Sequence, residues 1–217
     1  MRQPGAIVYD FDLTLVDSRA GIAACHAYAM RELDLPETDQ KIREATSMVG
    51  TPLDIVFETL FPDSDQQDEY LRLYHARADE IMTVSTSLMP GVRESIEALR
   101  SADIKLGIVS TKLRSRIEDV LQREGLLSSF ATIIGPEDAP AYKPDPRGLL
   151  IALERLHTAP AEAIYVGDTV IDAETAQRAG VPFVAVLSGF SREEDFAGYE
   201  PLAVLPRAAD LPDLLFD

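Results

Sequence analysis

IVYDFDLTLVDS, residues 7–18, is an apolar run that turns abruptly acidic. Two aspartates, Asp10 and Asp12, stand one residue apart directly after Ile7, Val8 and Tyr9. A buried strand has no structural use for two neighbouring acids at its end, because an unpaired buried carboxylate costs free energy. Solvated turns also accept aspartates. The residues that follow the other strands therefore decide between a surface turn and a functional site.

Short β-rich apolar runs alternate with helical patterns from residue 104 onward. Continuous apolar strands that are separated by helices are typical of a parallel sheet covered on both faces. We predict six such strands, at residues 6–10, 104–110, 131–135, 163–168, 182–187 and 202–206. The predicted fold class is therefore α/β, a doubly wound parallel sheet with a Rossmann-like core.

Residues 17–84 differ from the rest of the chain, because they contain no convincing strand and predict three or four helices. These helices cover about residues 18–34, 39–48, 52–61 and 65–83, and a new helix starts after Pro90-Gly91. We expect residues 1–16 and 85–217 to form the α/β core. The segment 17–84 is then a small all-α domain inserted after the first strand.

Composition and charge limit the possible partners. The 217 residues are 46% hydrophobic and 26% charged, which is typical of a globular protein, and no apolar run is long enough to cross a bilayer. The formal net charge of -17 argues against binding to nucleic acid or to an anionic membrane, since both need a basic surface. The one cysteine, Cys25, cannot form an internal disulfide and is expected to be a small buried hydrophobe. Without a signal-peptide pattern, we expect a cytoplasmic monomer or homodimer.

Polar side chains follow three of the predicted strands and precede one predicted helix. In open α/β sheets, ligands bind beyond the carboxyl ends of the strands. Carboxylates there suit Mg²⁺, and a carboxylate can also attack phosphorus. Hydroxyl and lysine side chains can stabilise a phosphoryl group during transfer. The residues at these positions are Asp10, Asp12, Thr14, Ser110, Thr111, Lys112, Lys143, Asp168 and Asp172.

Four short motifs then resemble those of the haloacid dehalogenase-like hydrolase superfamily, in the same order and at similar spacing. They are DFDLTL (10–15), VST (109–111), KPDP (143–146) and GDTVID (167–172). The resemblance covers essentially the whole chain and is to the phosphoglycolate-phosphatase-like group, which has a helical cap. It implies a Mg²⁺-dependent phosphoric monoester hydrolase that acts on a small phosphorylated metabolite through an aspartyl-phosphate.

The resemblance also implies roles for single residues. Asp10 matches the nucleophile and a metal ligand. Asp12 matches the general acid and base, and its backbone carbonyl would bind the metal. Asp168 matches the acidic metal ligand, with Asp172 as a second ligand or as a support for coordinated water. The remaining matches are Thr14, which braces the loop, and the phosphate-binding residues Ser110, Thr111 and Lys143. Because the dehalogenase branch lacks the second acid, Asp12 favours phosphoryl transfer.

Two residues depart from the commonest pattern, and one loop is assigned to substrate choice. Leu13 stands where many members have glycine, which restricts the backbone of the loop, and Thr111 stands where phosphoglycolate phosphatases often have asparagine. In the resembled family the cap loop faces the active site, so we assign Gly50 and Thr51 to substrate selection, with a simple interhelical turn as the alternative. Four basic residues are predicted to be solvated surface charges: Lys41, Arg43, Arg114 and Arg116.

Three alternatives to a phosphatase stay open. The same scaffold serves a sugar phosphomutase, which returns the phosphoryl group to a sugar, and an inorganic pyrophosphatase. Residues 17–84 contain no clear sugar-binding signature, which favours hydrolysis over the mutase reaction. A non-catalytic protein that binds a metabolite or a partner is the third alternative. Such a protein should have lost Asp10, Asp12 or Asp168, and all three are present.

Overall fold

Eight strands form in the computed structural model, which describes residues 3–216. They are β1 Ala6–Tyr9, β2 Val16–Asp17, β3 Ser87–Leu88, β4 Lys105–Val109, β5 Thr132–Ile134, β6 Ala163–Gly167, β7 Phe183–Val186 and β8 Ala203–Leu205. Six of them make one parallel sheet in the order β5-β4-β1-β6-β7-β8. Each of the six predicted strands is present, which confirms the predicted α/β class.

The α-helices occupy the segments between these strands. Within residues 3–216 they are α1 Arg19–Glu32, α2 Asp39–Ser47, α3 Leu53–Leu60, α4 Gln67–Ile81, α5 Val92–Ser101, α6 Arg114–Arg123, α7 Arg147–Arg155, α8 Val170–Ala179 and α9 Leu211–Phe216. None of the helices in this range combines the length and the apolar character that a membrane crossing requires.

Helices cover both faces of the sheet, because successive strand residues point to opposite sides. On one face Ile7, Tyr9 and Ile108 belong to a core that includes residues of α5, α6 and α9. On the other face Val8 and Tyr165 belong to a core that includes residues of α7 and α8. The strand order leaves β1 near the middle, with β4 on one side and β6 on the other. The sheet is therefore doubly wound around β1.

Helices α1–α4 lie between β2 and β3, and we call residues 19–81 the helical insertion. Their own hydrophobic cluster includes Met30, Phe57 and Tyr70. Cys25 is fully buried, as predicted. The expectation that residues 17–84 contain no strand is wrong at one end, because β2 pairs in antiparallel fashion with β3. Each of these strands has two residues, which is too short for the alternation of buried and exposed residues that identifies a strand in a sequence. The exact division between residues 1–16, 17–84 and 85–217 stays a prediction.

Candidate active site

Three predicted site residues follow strands that are neighbours in the sheet. Tyr9 of β1 pairs with Ile108 of β4 on one side and with Val166 of β6 on the other. The backbone N–H of Asp10 donates to the carbonyl of Val166 at 2.8 Å, which continues the β1–β6 pairing by one residue. Because these strands are parallel, the residues that follow them meet at one edge of the sheet. Those residues are Asp10, Ser110 and Asp168.

Asp10, Asp168 and Asp172 form a buried group that we call the acidic cluster. Carboxylate oxygens of the three residues lie within 4.8 Å of one another. All three side chains are buried, Asp168 and Asp172 completely. Burial raises the pKa of Asp10 to about 7, with Lys143 limiting the rise and Asp172 adding to it. Burial and the charge of Asp10 also raise the pKa of Asp168 well above its ordinary range. The cluster is therefore a place where negative charge needs compensation.

Lys143 supplies part of that compensation. Its Nζ donates to Oδ1 of Asp10 and to Oδ1 of Asp172, each at 2.7 Å. Burial by itself would lower the pKa of Lys143, but the two carboxylates raise it well above its ordinary range. The hydroxyl of Tyr165 also donates to Asp172, at 2.9 Å. The ammonium thus contacts carboxylates, and the predicted contact of Lys143 with a phosphate stays a prediction.

Asp168 has one oxygen that is paired and one that is not. The hydroxyl of Thr14 donates to Oδ1 at 2.8 Å. Oδ2 is buried and has no hydrogen-bond partner among residues 3–216. The helix cap beside it is Thr169, which forms a capping box with Asp172, so Asp168 is not needed for capping. A side chain at Gly189 would overlap this oxygen, so the backbone encloses it. A buried, unpaired carboxylate oxygen among hard oxygen donors fits a Mg²⁺ ion.

Asp12 is not a member of the acidic cluster, although it is only two residues from Asp10. Lys112 Nζ lies 2.9 Å from Oδ1 and 3.1 Å from Oδ2 of Asp12. The side chains are 7% and 10% exposed, so the ion pair is buried. The acidic cluster contains the predicted ligands Asp10 and Asp168 together with Asp172, the predicted second ligand or support. For Asp12 the backbone carbonyl remains the predicted metal-binding atom.

Lys112 follows a predicted strand, and its sequence position predicts no role for it. It is 100 positions from Asp12 in the chain, and nothing local connects the two. The loop after β4 makes the contact possible, since the Oγ of Ser110 accepts a hydrogen bond from the backbone N–H of Lys112 at 3.2 Å. Ser110 itself is buried, and it lies at the carboxyl end of β4 as predicted.

Leu13 bends the chain between Asp12 and β2. Its φ is 61°, in the left-handed region that favours glycine, which costs a residue with a side chain about 1–2 kcal/mol. The side chain is completely buried in the core. Its N–H donates to the carbonyl of Val16 at 2.8 Å, and its carbonyl accepts from the hydroxyl of Ser188 at 2.6 Å. Packing and hydrogen bonds thus hold the conformation that glycine would adopt without strain.

A cavity of about 250 Å³ lies between the helical insertion and the loops that follow β1 and β4. Asp12, Thr111 and Lys112 line it from the core, and Gly50 and Thr51 line it from the loop between α2 and α3. The structure thus brings the predicted substrate-selecting residues to the same cavity as Asp12. Asp168 instead lines a second cavity, of about 320 Å³, together with Thr169 and Phe190.

Arg116 contradicts its predicted placement on the solvated surface. It is only 7% exposed and lines the first cavity. Its Nε and Nη2 donate to Oδ1 of Asp79, at 3.0 and 2.7 Å, and Nη2 also donates to the carbonyl of His75 at 3.1 Å. Because Asp79 and His75 belong to α4, these contacts tie α6 to the helical insertion. The helical insertion covers this part of α6, which the sequence of α6 alone does not reveal.

Comparison with known proteins gives matches along nearly the whole chain. A family model described as haloacid dehalogenase-like hydrolase matches residues 7–186. A pyrophosphatase PpaX from Bacillus velezensis is 30% identical over 210 residues, which cover 95% of this chain and 94% of that protein. A phosphoglycolate phosphatase from Nitrosospira multiformis is 29% identical over 217 residues, which cover 97% of this chain and 95% of that protein. A crystal structure assigned to the haloacid dehalogenase-like hydrolases, from Bacteroides fragilis, is similar with a TM-score of 0.90 and 34% identity, covering 96% of this chain and 100% of that one.

Proposed function

Because the chain belongs to the haloacid dehalogenase-like hydrolases, we propose that it is a Mg²⁺-dependent phosphatase that hydrolyses a small, phosphoglycolate-like phosphate monoester. Its family and its relatives identify it as a phosphoric monoester hydrolase. The proposed mechanism rests on one observation: Asp10 and Asp12 have different neighbours. Asp10 belongs to the acidic cluster and accepts a hydrogen bond from Lys143. Asp12 does not belong to that cluster and accepts a hydrogen bond from Lys112.

The metal would be held by the carboxylates of Asp10 and Asp168 and by the backbone carbonyl of Asp12. Asp172 would be a further ligand or would hold a coordinated water. The unpaired Oδ2 of Asp168 supports this assignment, because a buried anionic oxygen without a hydrogen bond is costly. When bound, Mg²⁺ neutralises the carboxylates and offsets negative charge on the phosphoryl oxygens.

In the first step Asp10 attacks phosphorus. Lys143 donates to its Oδ1, so we expect Oδ2 to form the new bond. The bond between phosphorus and the leaving oxygen breaks, and Asp12 gives that oxygen a proton. Ser110 and Thr111 would donate hydrogen bonds to the phosphoryl oxygens as charge moves onto them. The products of this step are an alcohol and an aspartyl-phosphate on Asp10.

In the second step Asp12 removes a proton from a water molecule, whose oxygen bonds to phosphorus. The bond between phosphorus and Asp10 then breaks, which releases inorganic phosphate and restores the carboxylate. We propose that the helical insertion acts as a cap that closes over this chemistry and reopens for product release. Its loop residues Gly50 and Thr51 face the same cavity as Asp12, which supports a role in choosing the substrate.

The test is phosphate release in the presence of Mg²⁺ from phosphoglycolate, pyrophosphate, sugar phosphates, nucleotides and an aryl phosphate. We expect the Asp10→Asn variant to lose turnover while it remains folded. Asp119→Asn, which changes an exposed residue of α6, is the matched control and should keep full activity. Undiminished hydrolysis by Asp10→Asn would refute the assignment of Asp10 as the nucleophile. Free phosphate without an isomerised sugar phosphate would exclude the phosphomutase.

Pyrophosphate hydrolysis is the second candidate function. The observation that favours it is 30% identity to pyrophosphatase PpaX across 94% of that protein. The same two steps apply, with a phosphate ion in place of the alcohol as leaving group. The ratio of kcat/KM for pyrophosphate to kcat/KM for phosphoglycolate decides between the two candidates.

A further inference from the structure

We infer that Lys112 recognises a second negative charge on the leaving-group side of the substrate, so that the preferred substrate is a phosphorylated acid or a diphosphate. The inference rests on the proposed function of the same site. The cavity that holds the leaving group would be the one lined by Lys112 and Asp12, since Asp12 is the proposed acid for the leaving oxygen.

Lys112 has hydrogen-bonding capacity that its present contacts do not use. An ammonium has three donors, and Nζ of Lys112 contacts the two oxygens of one carboxylate, that of Asp12. The side chain is 7% exposed and lines the cavity, so an anion that enters the cavity meets this ammonium away from bulk water. Such an anion would share Lys112 with Asp12 or take it over, which leaves the Asp12 oxygens free to face the leaving group.

The other basic side chains that line this cavity are not available for the same task. Arg116 already donates to Asp79 and to the carbonyl of His75. Burial lowers the pKa of His26 to about 4, and its Nδ1 lies 2.8 Å from the hydroxyl of Tyr70. Burial and Arg116 lower the pKa of His75 as well. Near neutral pH, Lys112 is therefore the cation, among the residues of the described chain that line this cavity, whose ion pair is with the proposed acid Asp12 and not with the helical insertion.

The lining of the cavity disfavours an uncharged polyol, and the charge of the chain makes the entry of an anionic leaving group depend on a local cation such as Lys112. The chain carries a formal net charge of -17, so an anion needs a local cation to enter. Much of the lining that the helical insertion supplies is apolar, with Ile22, Met48, Val49, Leu53 and Val56 among its residues. Hydroxyl groups placed against such side chains would lose water without gaining hydrogen bonds. The volume of about 250 Å³ is also small for a ligand pocket, which favours a compact leaving group.

The experiment compares two substrates of similar size on each enzyme preparation, in the presence of Mg²⁺. Phosphoglycolate has an anionic leaving group, and ethyl phosphate has an uncharged one. In Lys112→Met we expect kcat/KM to fall for both substrates, because Lys112 holds Asp12, and to fall about 10-fold or more further for phosphoglycolate than for ethyl phosphate. Lys112→Arg should restore most of the loss, because it keeps the charge. Lys105→Met is the control, since it removes an exposed lysine at the other end of β4.

The ratio of kcat/KM for phosphoglycolate to kcat/KM for ethyl phosphate does not depend on how much of a variant is folded. An equal loss for both substrates would mean that Lys112 acts on the transferred phosphoryl group or only supports Asp12, and would overturn the inference. No loss for either substrate would overturn it as well. A binding measurement distinguishes a failure of this inference from a failure of the proposed function, because it does not require turnover. Calorimetry of phosphoglycolate on Asp10→Asn should give a Kd that rises at least 10-fold when Lys112→Met is added, and an unchanged Kd refutes the inference whether or not turnover occurs.

Discussion

Replacing Asp10 by asparagine should stabilise the metal-free protein progressively as the pH rises, even though it removes the proposed nucleophile. The substitution keeps the size of the side chain and removes one negative charge from the acidic cluster. Lys143 keeps its contact with Asp172, so the ammonium stays paired. The substitution therefore tests whether the cluster stores unfavourable charge in the absence of a metal.

The magnitude follows from the pKa of Asp10, which burial raises from 3.8 to about 7. Between these two values the folded chain keeps the proton that the unfolded chain has lost, so the free energy of unfolding of the wild type falls as the pH rises. One pH unit of displacement corresponds to about 1.4 kcal/mol. The free energy of unfolding of the wild type thus decreases by about 4 kcal/mol in total. About 3 kcal/mol of this decrease occurs between about pH 5 and about pH 8. The Asp10→Asn variant lacks this loss.

The assay is urea unfolding of both proteins in EDTA, followed by circular dichroism at several pH values between about 5 and 8. We expect the stability of Asp10→Asn relative to the wild type to increase by about 3 kcal/mol across this range. Asp168 is present in both proteins, so the difference isolates Asp10 and its coupling to Asp168. Asp119→Asn, the exposed control, should change the stability by less than about 0.5 kcal/mol.

Two results would refute the reasoning. Parallel pH profiles of the wild type and Asp10→Asn would show that Asp10 does not titrate differently in the folded and unfolded chains. A relative stability of Asp10→Asn that decreases with pH would show that Lys143 outweighs burial, so that the carboxylate of Asp10 stabilises the fold.

Further predictions concern the metal site, the contact between Arg116 and Asp79, and the backbone conformation of Leu13. Mg²⁺ should raise the Tm of the wild type more at about pH 8 than at about pH 5, because it binds carboxylates that must first lose their protons, and thermal scans with and without EDTA would measure this; an equal rise at both values would contradict it. Arg116→Met should cost about 1 kcal/mol, since its partner Asp79 has a side chain that is 68% exposed and can be solvated again; hydrogen exchange should speed up in the helical insertion and not in the sheet. Leu13→Gly should destabilise the fold by about 1–3 kcal/mol, because relief of about 1–2 kcal/mol of backbone strain only partly offsets the loss of a buried side chain. Leu13→Ala keeps the strain and should be the less stable of the two in urea unfolding.

The sheet could be predicted from the sequence because most of its strand residues are buried. In β6 all five residues are buried and none is charged, and in β4 the same is true of the four residues after Lys105; such a run between helical patterns has few other uses. The pair β2 and β3 could not be predicted in the same way. Each has two residues, and its pairing depends on how the helical insertion leaves and rejoins the core.

The site could be located from the sequence, but the partners of its lysines could not. Strand ends bring Asp10, Ser110 and Asp168 to one edge of the sheet, which is a property of parallel topology. The contacts of Lys143 and Lys112 span 133 and 100 positions in the chain and depend on loop conformation. The burial of Arg116 depends on the docking of one group of helices on another.

The two acids of the opening motif have different electrostatic surroundings, and this difference argues for different roles. In a continuing strand, residues two positions apart would point to the same side. Here the strand ends at Tyr9, and the left-handed Leu13 turns the loop immediately after Asp12. Asp10 shares Lys143 with Asp172, and Asp168 of the same cluster has no lysine contact within residues 3–216, whereas both oxygens of Asp12 contact Lys112. The carboxylates around Asp10 therefore outnumber the lysine that contacts them, while Asp12 has an ion-pair partner of its own. Such different charged neighbours suit a nucleophile and a proton carrier on the same loop.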